Sequence, residues 1–166
     1  LDGTESPQEI DSNPKMLELL ENIRCTASVI MGIAHDRQTA RENIRAVPMV
    51  AFVSPAKDYY SHITGQFVTK RSIDFVSRDM FMGIMHKTYS GTASVCTICA
   101  AATNGSIVSE AIGHTIENGK VRIGHPGGVL EGEVEVIDGK ITKAVYGRTA
   151  RRIMDGYVYV PREILD

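Results

Sequence analysis

The chain has 166 residues, eighteen Lys and Arg against twenty Asp and Glu, a net charge of −2 and 43% hydrophobic residues. That length suits one domain that buries roughly 70% of its unfolded surface. The near-neutral balance, the few aromatics and the lack of a basic block argue against a nucleic-acid surface, and no apolar run approaches the ~20 residues of a membrane span. Leu1-Asp2-Gly3-Thr4-Glu5 is no signal peptide, and three cysteines, an odd number, suit a reducing compartment better than a disulfide framework. A soluble cytoplasmic protein is expected, with no nucleic-acid or membrane partner, and any anion site must be local. A chain that opens on Leu rather than Met is expected to be a piece of a longer protein.

Residues 1–13 are polar and turn-rich. Ser12 or Asn13 then caps a helix with Pro14 at its first position, and Leu17, Leu20, Ile23, Ala27 and Ile30 recur at mostly helical spacing up to Gly32. A charged segment from His35 to Arg45 predicts a short surface helix. Pro48 pushes Val47 toward an extended conformation, and Met49–Val53 reads as a buried strand. Pro55 to Lys70 reads as loop and hairpin around Thr64-Gly65. Between Ser72 and Met85 the spacing of Ile73, Val76, Met80, Phe81 and Ile84 predicts a helix, with Met80, Met82 and Met85 as core filler.

After Gly91 come residues that are almost all small, Thr92 to Ala102, and a helix built of them has almost no polar face. Such a helix is expected to be enclosed by a curved sheet. Ser90, Gly91 or Thr92 caps it and Asn104-Gly105 ends it. Beyond it the pattern changes to period two, predicting strands at Ser106–Ile112, Lys120–Ile123, Gly128–Ile137, Lys140–Ile153 and Tyr157–Val160, with turns at Asn118-Gly119, Asp138-Gly139 and Asp155-Gly156. Helices early and strands late, with one small-residue helix between them, predict an α+β fold with a curved sheet or barrel around that helix.

The chemistry-bearing residues lie on its approach. His86, Lys87, Thr88, Tyr89 and Ser90 directly precede a helix N-terminus, whose free N–H groups suit a carboxylate or phosphate. The same residues also read as a plain cap. Cys96 and Cys99 form a C-x-x-C, but a redox pair opens a helix and zinc needs two further ligands, so buried small residues are expected, with Cys96 kept as an acid/base alternative. The five histidines show no metal-ligand spacing. His125 stands in Gly124-His125-Pro126-Gly127-Gly128, which is either a tight turn or a backbone that approaches a ligand closely. Arg148 and Arg152 share one face of a strand and Arg151 the other, as solvated surface or a carboxylate site.

Four stretches together resemble the C-terminal half of the PrpF-like isomerases, the group that contains 2-methylaconitate cis-trans isomerase and 3-methylitaconate delta-isomerase. They are Leu1 to Pro7, Met85-His86-Lys87-Thr88-Tyr89-Ser90-Gly91-Thr92-Ala93, Arg122 to Pro126, and Arg148-Thr149-Ala150-Arg151-Arg152 continuing to Val160. The resemblance covers the whole chain. It implies half of a diaminopimelate-epimerase-like fold, in which two similar halves each wrap a sheet around a central helix and share the cleft between them. It also implies a cofactor-free proton shift, or cis-trans isomerisation, in a small unsaturated di- or tricarboxylate.

By this resemblance the lysine and cysteine assigned to proton transfer belong to the N-terminal half, which is not in this sequence. The present chain contributes the carboxylate side of the cleft: His86 with Lys87, Thr88, Ser90, Gly91 and Thr92, then His125, Gly127 and Gly128, with His86 and Cys96 as candidate acid/base groups. Gly127 stands where a serine or alanine is common, which removes a hydroxyl contact, and Asn104-Gly105-Ser106 replaces a usual Pro-Gly-Thr. Alone the chain is expected to be inactive or nearly so and prone to form homodimers through the surface that faces its missing half. Two competing readings are an amino-acid epimerase or racemase half that uses Cys96, and a non-catalytic carboxylate-binding domain.

Overall fold

Ser6 and Glu9 bond each other's backbone N–H groups reciprocally, and this capping box opens a short helix, α1 (Pro7–Asp11). The structure, a computed structural model, describes residues 1–162. Asn13 accepts from the Met16 N–H at 3.1 Å and starts α2 (Pro14–Ile30) with Pro14 at its first position. Buried Arg24 ties α2 to α3 (Arg37–Asn43): it forks onto Glu21 at 2.7 and 2.8 Å and donates to the carbonyls of Ala40 and Ile44 at 2.7 Å. Removing either partner would strand a buried charge or carbonyl, so the pair fixes the position of the helices.

Strand β1 (Val50–Pro55) follows, then a two-stranded ribbon of β2 (Tyr59–Tyr60) and β3 (Phe67–Val68). The segment that read as a helix is instead β4 (Phe75–Phe81), hairpinned to β5 (Ile84–Met85). Every residue of β4 from Phe75 to Met80 is buried because both faces of the strand are covered. The polar–apolar alternation that marks a half-buried strand is therefore absent, and the remaining spacing mimics a helix.

The small-residue helix is α4 (Gly91–Ala101). Ser106–Ile112, expected as a strand, is helix α5 (Ile107–Ile112): Ser106 accepts from the Ser109 N–H at 3.0 Å, and Gly113 closes it at φ 71°. Its buried residues, Val108 and Ile112, are four apart. Three antiparallel-linked strands complete the sheet: β6 (Lys120–His125), β7 (Gly128–Ile137) and β8 (Lys140–Tyr146). Asp138-Gly139 turns as expected, both at positive φ, whereas Asn118-Gly119 lies in a single 3-10 turn that leads from the α5 loop into β6 and closes no hairpin.

The strand order is β1-β4-β6-β7-β8, with β5 on the same side of β4 as β6 and only the β4–β6 pair parallel. The architecture is α+β, but the sheet does not close into a barrel. Only one side of α4 is covered, where Ile98 packs with Phe75, Val121 and Ile123, all at 0% exposure. Gly132 of β7 is required by that packing: a Cβ there would overlap Ile98 Cδ1 and come within 2.8 Å of the Val145 carbonyl. The other side of α4 is open at Thr92 and Cys96, which corrects both the enclosed helix and the buried Cys96. β8 ends at Tyr146, seven residues short of Ile153, and Gly147–Val160 forms no regular element. Tyr157 and Tyr159 there are 97% and 96% exposed. No helix of the described residues is long and apolar enough to cross a membrane.

Candidate active site

The parallel pair β4–β6 is short. Phe75 and Val76 of β4 align with Ile123 and Gly124, and β5 takes over the same edge at Met80 and Phe81, so Ser77–Asp79 faces a split in the sheet. His86, just after β5, donates its backbone N–H to the Asp79 carbonyl at 2.9 Å across that split, and His125 ends β6 on its other side. Alternation along β4 puts Ser77 and Asp79 on the α4 face with Phe75, and Arg78 on the opposite face.

The N-terminus of α4 sits over the split. Ser90 makes no capping bond, its hydroxyl turning to the Met49 sulfur, and the N–H groups of Gly91, Thr92 and Ala93 find no partner among the described residues. The Ser90 N–H donates to Asp79 Oδ2 at 3.3 Å, while Asp79 Oδ1 is buried without a partner. Burial raises the Asp79 pKa above its ordinary value, against the pull of its Ser90 contact and of His86, and so favours the neutral carboxyl beside the anion-seeking helix end.

Two histidines flank this helix end, and each has a fixed tautomer. His86 Nδ1 accepts from the Thr88 N–H at 3.1 Å, and His125 Nδ1 accepts from the Gly127 N–H at 3.1 Å. Each neutral ring therefore carries its proton on Nε2. His125 is buried, and burial first, then Arg78 and His86, lowers its pKa to about 4. It is a neutral donor at physiological pH, with no partner for Nε2 among the described residues. A Cβ on Gly127 would stand 3.0 Å from Thr88 Cγ2 and 3.1 Å from His125 Cε1, so the two candidate segments touch.

Beneath them runs a directed chain of hydroxyls. Ser77 donates to the Phe52 carbonyl at 3.2 Å, which leaves Tyr89 to donate to Ser77 at 2.8 Å and Thr97 to donate to Tyr89 at 3.0 Å. Burial pushes the Tyr89 phenol up to about 12, so it stays protonated and anchors the approach segment.

The structure thus gathers His86, Ser90, Gly91, Thr92, His125 and Gly127 into one region, with Lys87 and Thr88 exposed beside them and Gly128 pairing with His125. Cys96 lies exposed one turn into α4, while burial raises the pKa of Cys99 and of the enclosed Cys25. Arg148, Arg151 and Arg152 are exposed on irregular chain, and Arg152 pairs with Asp155 at 3.2 Å. Among the described residues no three His, Cys, Asp or Glu stand close enough to hold a metal ion. Sequence reasoning missed Ser77, Asp79 and Tyr146, whose phenol lies against Gly91. The first two were hidden by the helical reading of β4, and Tyr146 by the pairing of β8 with β7, which a single strand does not reveal.

Residues 1–161 match the model of the PrpF protein family, and the chain belongs to that family. It is 46% identical over 160 residues to 3-methylitaconate isomerase of Eubacterium barkeri, an alignment that covers 96% of this chain and 42% of that protein. A 2-methyl-aconitate isomerase of Cupriavidus necator is 36% identical over 163 residues, 96% of this chain and 40% of that protein. A crystal structure of methylitaconate-delta-isomerase superposes with a TM-score of 0.87 at 46% identity, over 98% of this chain and 42% of that one. The chain spans about two-fifths of the length of these relatives.

Proposed function

We propose that this chain is the C-terminal, carboxylate-binding half of a cofactor-free isomerase that moves a proton in a small unsaturated di- or tricarboxylate of the methylitaconate or methylaconitate kind. The observation that carries this reading is the set of three unpartnered N–H groups at the start of α4, approached through Tyr89, whose ring centroid stands 6.3 Å from that of the His125 imidazole. Donors already in place for developing negative charge are the largest catalytic contribution such a site can make. His86 is the acid/base candidate, with Lys87, Thr88 and Ser90 on the substrate side.

The half-molecule reading places the whole chain, residues 1–166, in one domain of a diaminopimelate-epimerase-like pair, in a cytoplasmic enzyme that keeps its three free thiols reduced. The bare side of α4 and the exposed apolar residues Ile153, Met154, Tyr157, Val158 and Tyr159 support more protein packing here, with self-association as the alternative when the chain stands alone. An epimerase half that uses Cys96 is the second reading, favoured by the exposure of that thiol beside the same helix end.

Isomerisation of 2-methylaconitate and 3-methylitaconate, with solvent deuterium uptake followed by NMR, tests the proposal in this chain alone and with the remainder supplied. Turnover only in the complemented protein, lost in His86→Ala and kept in Cys96→Ser, is the expected result. Turnover by neither form, with dicarboxylate binding retained, would reduce the chain to a carboxylate-binding domain.

A further inference from the structure

Arg78 is the largest fully buried side chain of the described residues, and neutral groups alone hold it. Nε donates to the Glu5 carbonyl at 2.9 Å, Nη1 donates to the carbonyls of Ser77 at 2.8 Å and Gly124 at 3.3 Å, and the guanidinium lies 5.2 Å from the centroid of the Tyr59 ring. Nη2 has no hydrogen-bond partner among the described residues. A buried cation that feels the Glu5 and Asp2 carboxylates but pairs with neither is costly, so its surroundings show what it acts on. They are the loop of the candidate site. Gly124 directly precedes His125, and the single Tyr59 hydroxyl proton is shared between the carbonyls of His125 at 2.9 Å and Gly128 at 2.5 Å. The guanidinium and the phenol therefore grip both ends of this loop from one side of the sheet, while Thr88 meets Gly127 on the other.

We propose that Arg78 is a positioning residue of the anion site, a fixed buried charge that sets the His125–Gly128 loop and keeps the imidazole a neutral Nε2–H donor to a carboxylate ligand. The titratable groups that face His125 are Arg78 on β4, Tyr59 on β2, and His86 and Tyr89 before α4. Of these, Arg78 and then His86 act in the same direction, lowering the His125 pKa together with burial. A carboxylate at the helix end adds to the Glu5 and Asp2 carboxylates, which already act on Arg78 without pairing with it, and low dielectric carries the attraction. The ligand part of this statement rests on the dicarboxylate reading above, whereas the hold on His125 does not.

Arg78→Met and Arg78→Lys separate charge from geometry, because lysine keeps the charge and loses the fork. In each variant of this chain the His125 ring is titrated by nitrogen NMR, and citraconate, a small unsaturated dicarboxylate, is titrated by calorimetry. The His125 midpoint is expected near about 4 in the parent, roughly one unit higher in Arg78→Met, and little moved in Arg78→Lys. Citraconate affinity falls about tenfold in the Met variant, the equivalent of one pKa unit, and less in the Lys variant. An unmoved midpoint in Arg78→Met, or equal shifts in both variants, overturns the proposal.

If Arg78→Met does not fold, Tyr59→Phe serves instead, since it releases the His125 and Gly128 carbonyls and leaves the charge. A weaker citraconate affinity at an unchanged His125 midpoint supports the assignment, and a raised midpoint there overturns it. A parent chain that ignores citraconate while Arg78→Met shifts His125 removes the dicarboxylate reading and leaves the hold on His125 standing.

Discussion

The phenol of Tyr146, the last residue of β8, lies against the Cα of Gly91, the first residue of α4, so closely that a methyl group on Gly91 would overlap the hydroxyl oxygen. The contact fixes how far the open helix end stands from the sheet. Gly91→Ala is expected to destabilise the chain by about 1–3 kcal/mol, the range for overpacking, and to weaken dicarboxylate binding by displacing the free N–H groups. Tyr146→Phe removes the atom that the new methyl meets first. The double variant should therefore recover much of both losses, a coupling that urea unfolding and calorimetry across the four proteins would measure. Additive losses would show that the contact does not position the helix.

His125 gives the site an acid limit. Its pKa is lowered to about 4, against 6.5 for an unperturbed histidine, so between those values the unfolded chain binds more protons than the folded one. Stability is fully present above pH 6.5 and falls as pH drops toward 4, by on the order of 3 kcal/mol from this group. Urea unfolding of the parent and of His125→Asn at pH 7 and pH 4.5 would show a smaller loss in the variant. Equal losses would mean that the ring is not held neutral.

The helix α4 and the approach to it were legible because each carries a local signal: small side chains in a row, a His-Lys-Thr sequence before a helix start, and Asn13-Pro14 or Asp138-Gly139 as boundary chemistry. Ser6-Pro7-Gln8-Glu9 carries a signal of the same kind for α1, which the turn-rich reading of residues 1–13 passed over. What failed was whatever depended on the far side of a contact. β4 lost its alternation because β1 and both layers bury it, and Ser106–Ile112 carries apolar residues that suit a strand as well as a helix until Val108 and Ile112 meet the core. The open side of α4 has no sequence signature, since small residues serve equally under a sheet or beside a cleft.

Packing of α4 on the sheet rests on Ile98, at 0% exposure, seated over Gly132. Ile98→Ala should cost about 2–5 kcal/mol. Gly132→Ala should also destabilise, and Ile98→Ala should rescue it only in part, because the new methyl still meets the Val145 carbonyl at 2.8 Å. Full rescue would mean that the backbone of β8 moves away freely.

The thiols should react in a fixed order. Cys96 is exposed, Cys99 half-buried with a pKa raised by burial, and Cys25 enclosed beside Arg24 and Glu21. Iodoacetamide labelling read by mass spectrometry is expected to modify Cys96 first, Cys99 more slowly and Cys25 only in denaturant. Citraconate should slow the Cys96 reaction if the ligand occupies the open end of α4, and a rate indifferent to citraconate would place the ligand elsewhere.

Asp79 sets the opposite pH trend to His125. Burial raises its pKa above 3.8, so the folded chain holds the proton where the unfolded chain has lost it. The stability from this group is complete below 3.8 and is lost as pH rises through the folded value, after which an ionised carboxylate stands buried beside the helix end. Asp79→Asn keeps an oxygen to accept the Ser90 N–H and cannot ionise. Its melting temperature should match the parent near pH 4 and exceed it as pH rises, the gap levelling off once the folded carboxyl has ionised. Dicarboxylate affinity should exceed the parent's only at pH values where the parent carboxyl has ionised, because a negative charge next to the free N–H groups of Gly91 and Thr92 competes with the ligand for the same partial positive charge. A melting difference that stays constant with pH would mean that Asp79 does not titrate in the fold, and an unchanged affinity would mean that the ligand does not use this end of α4.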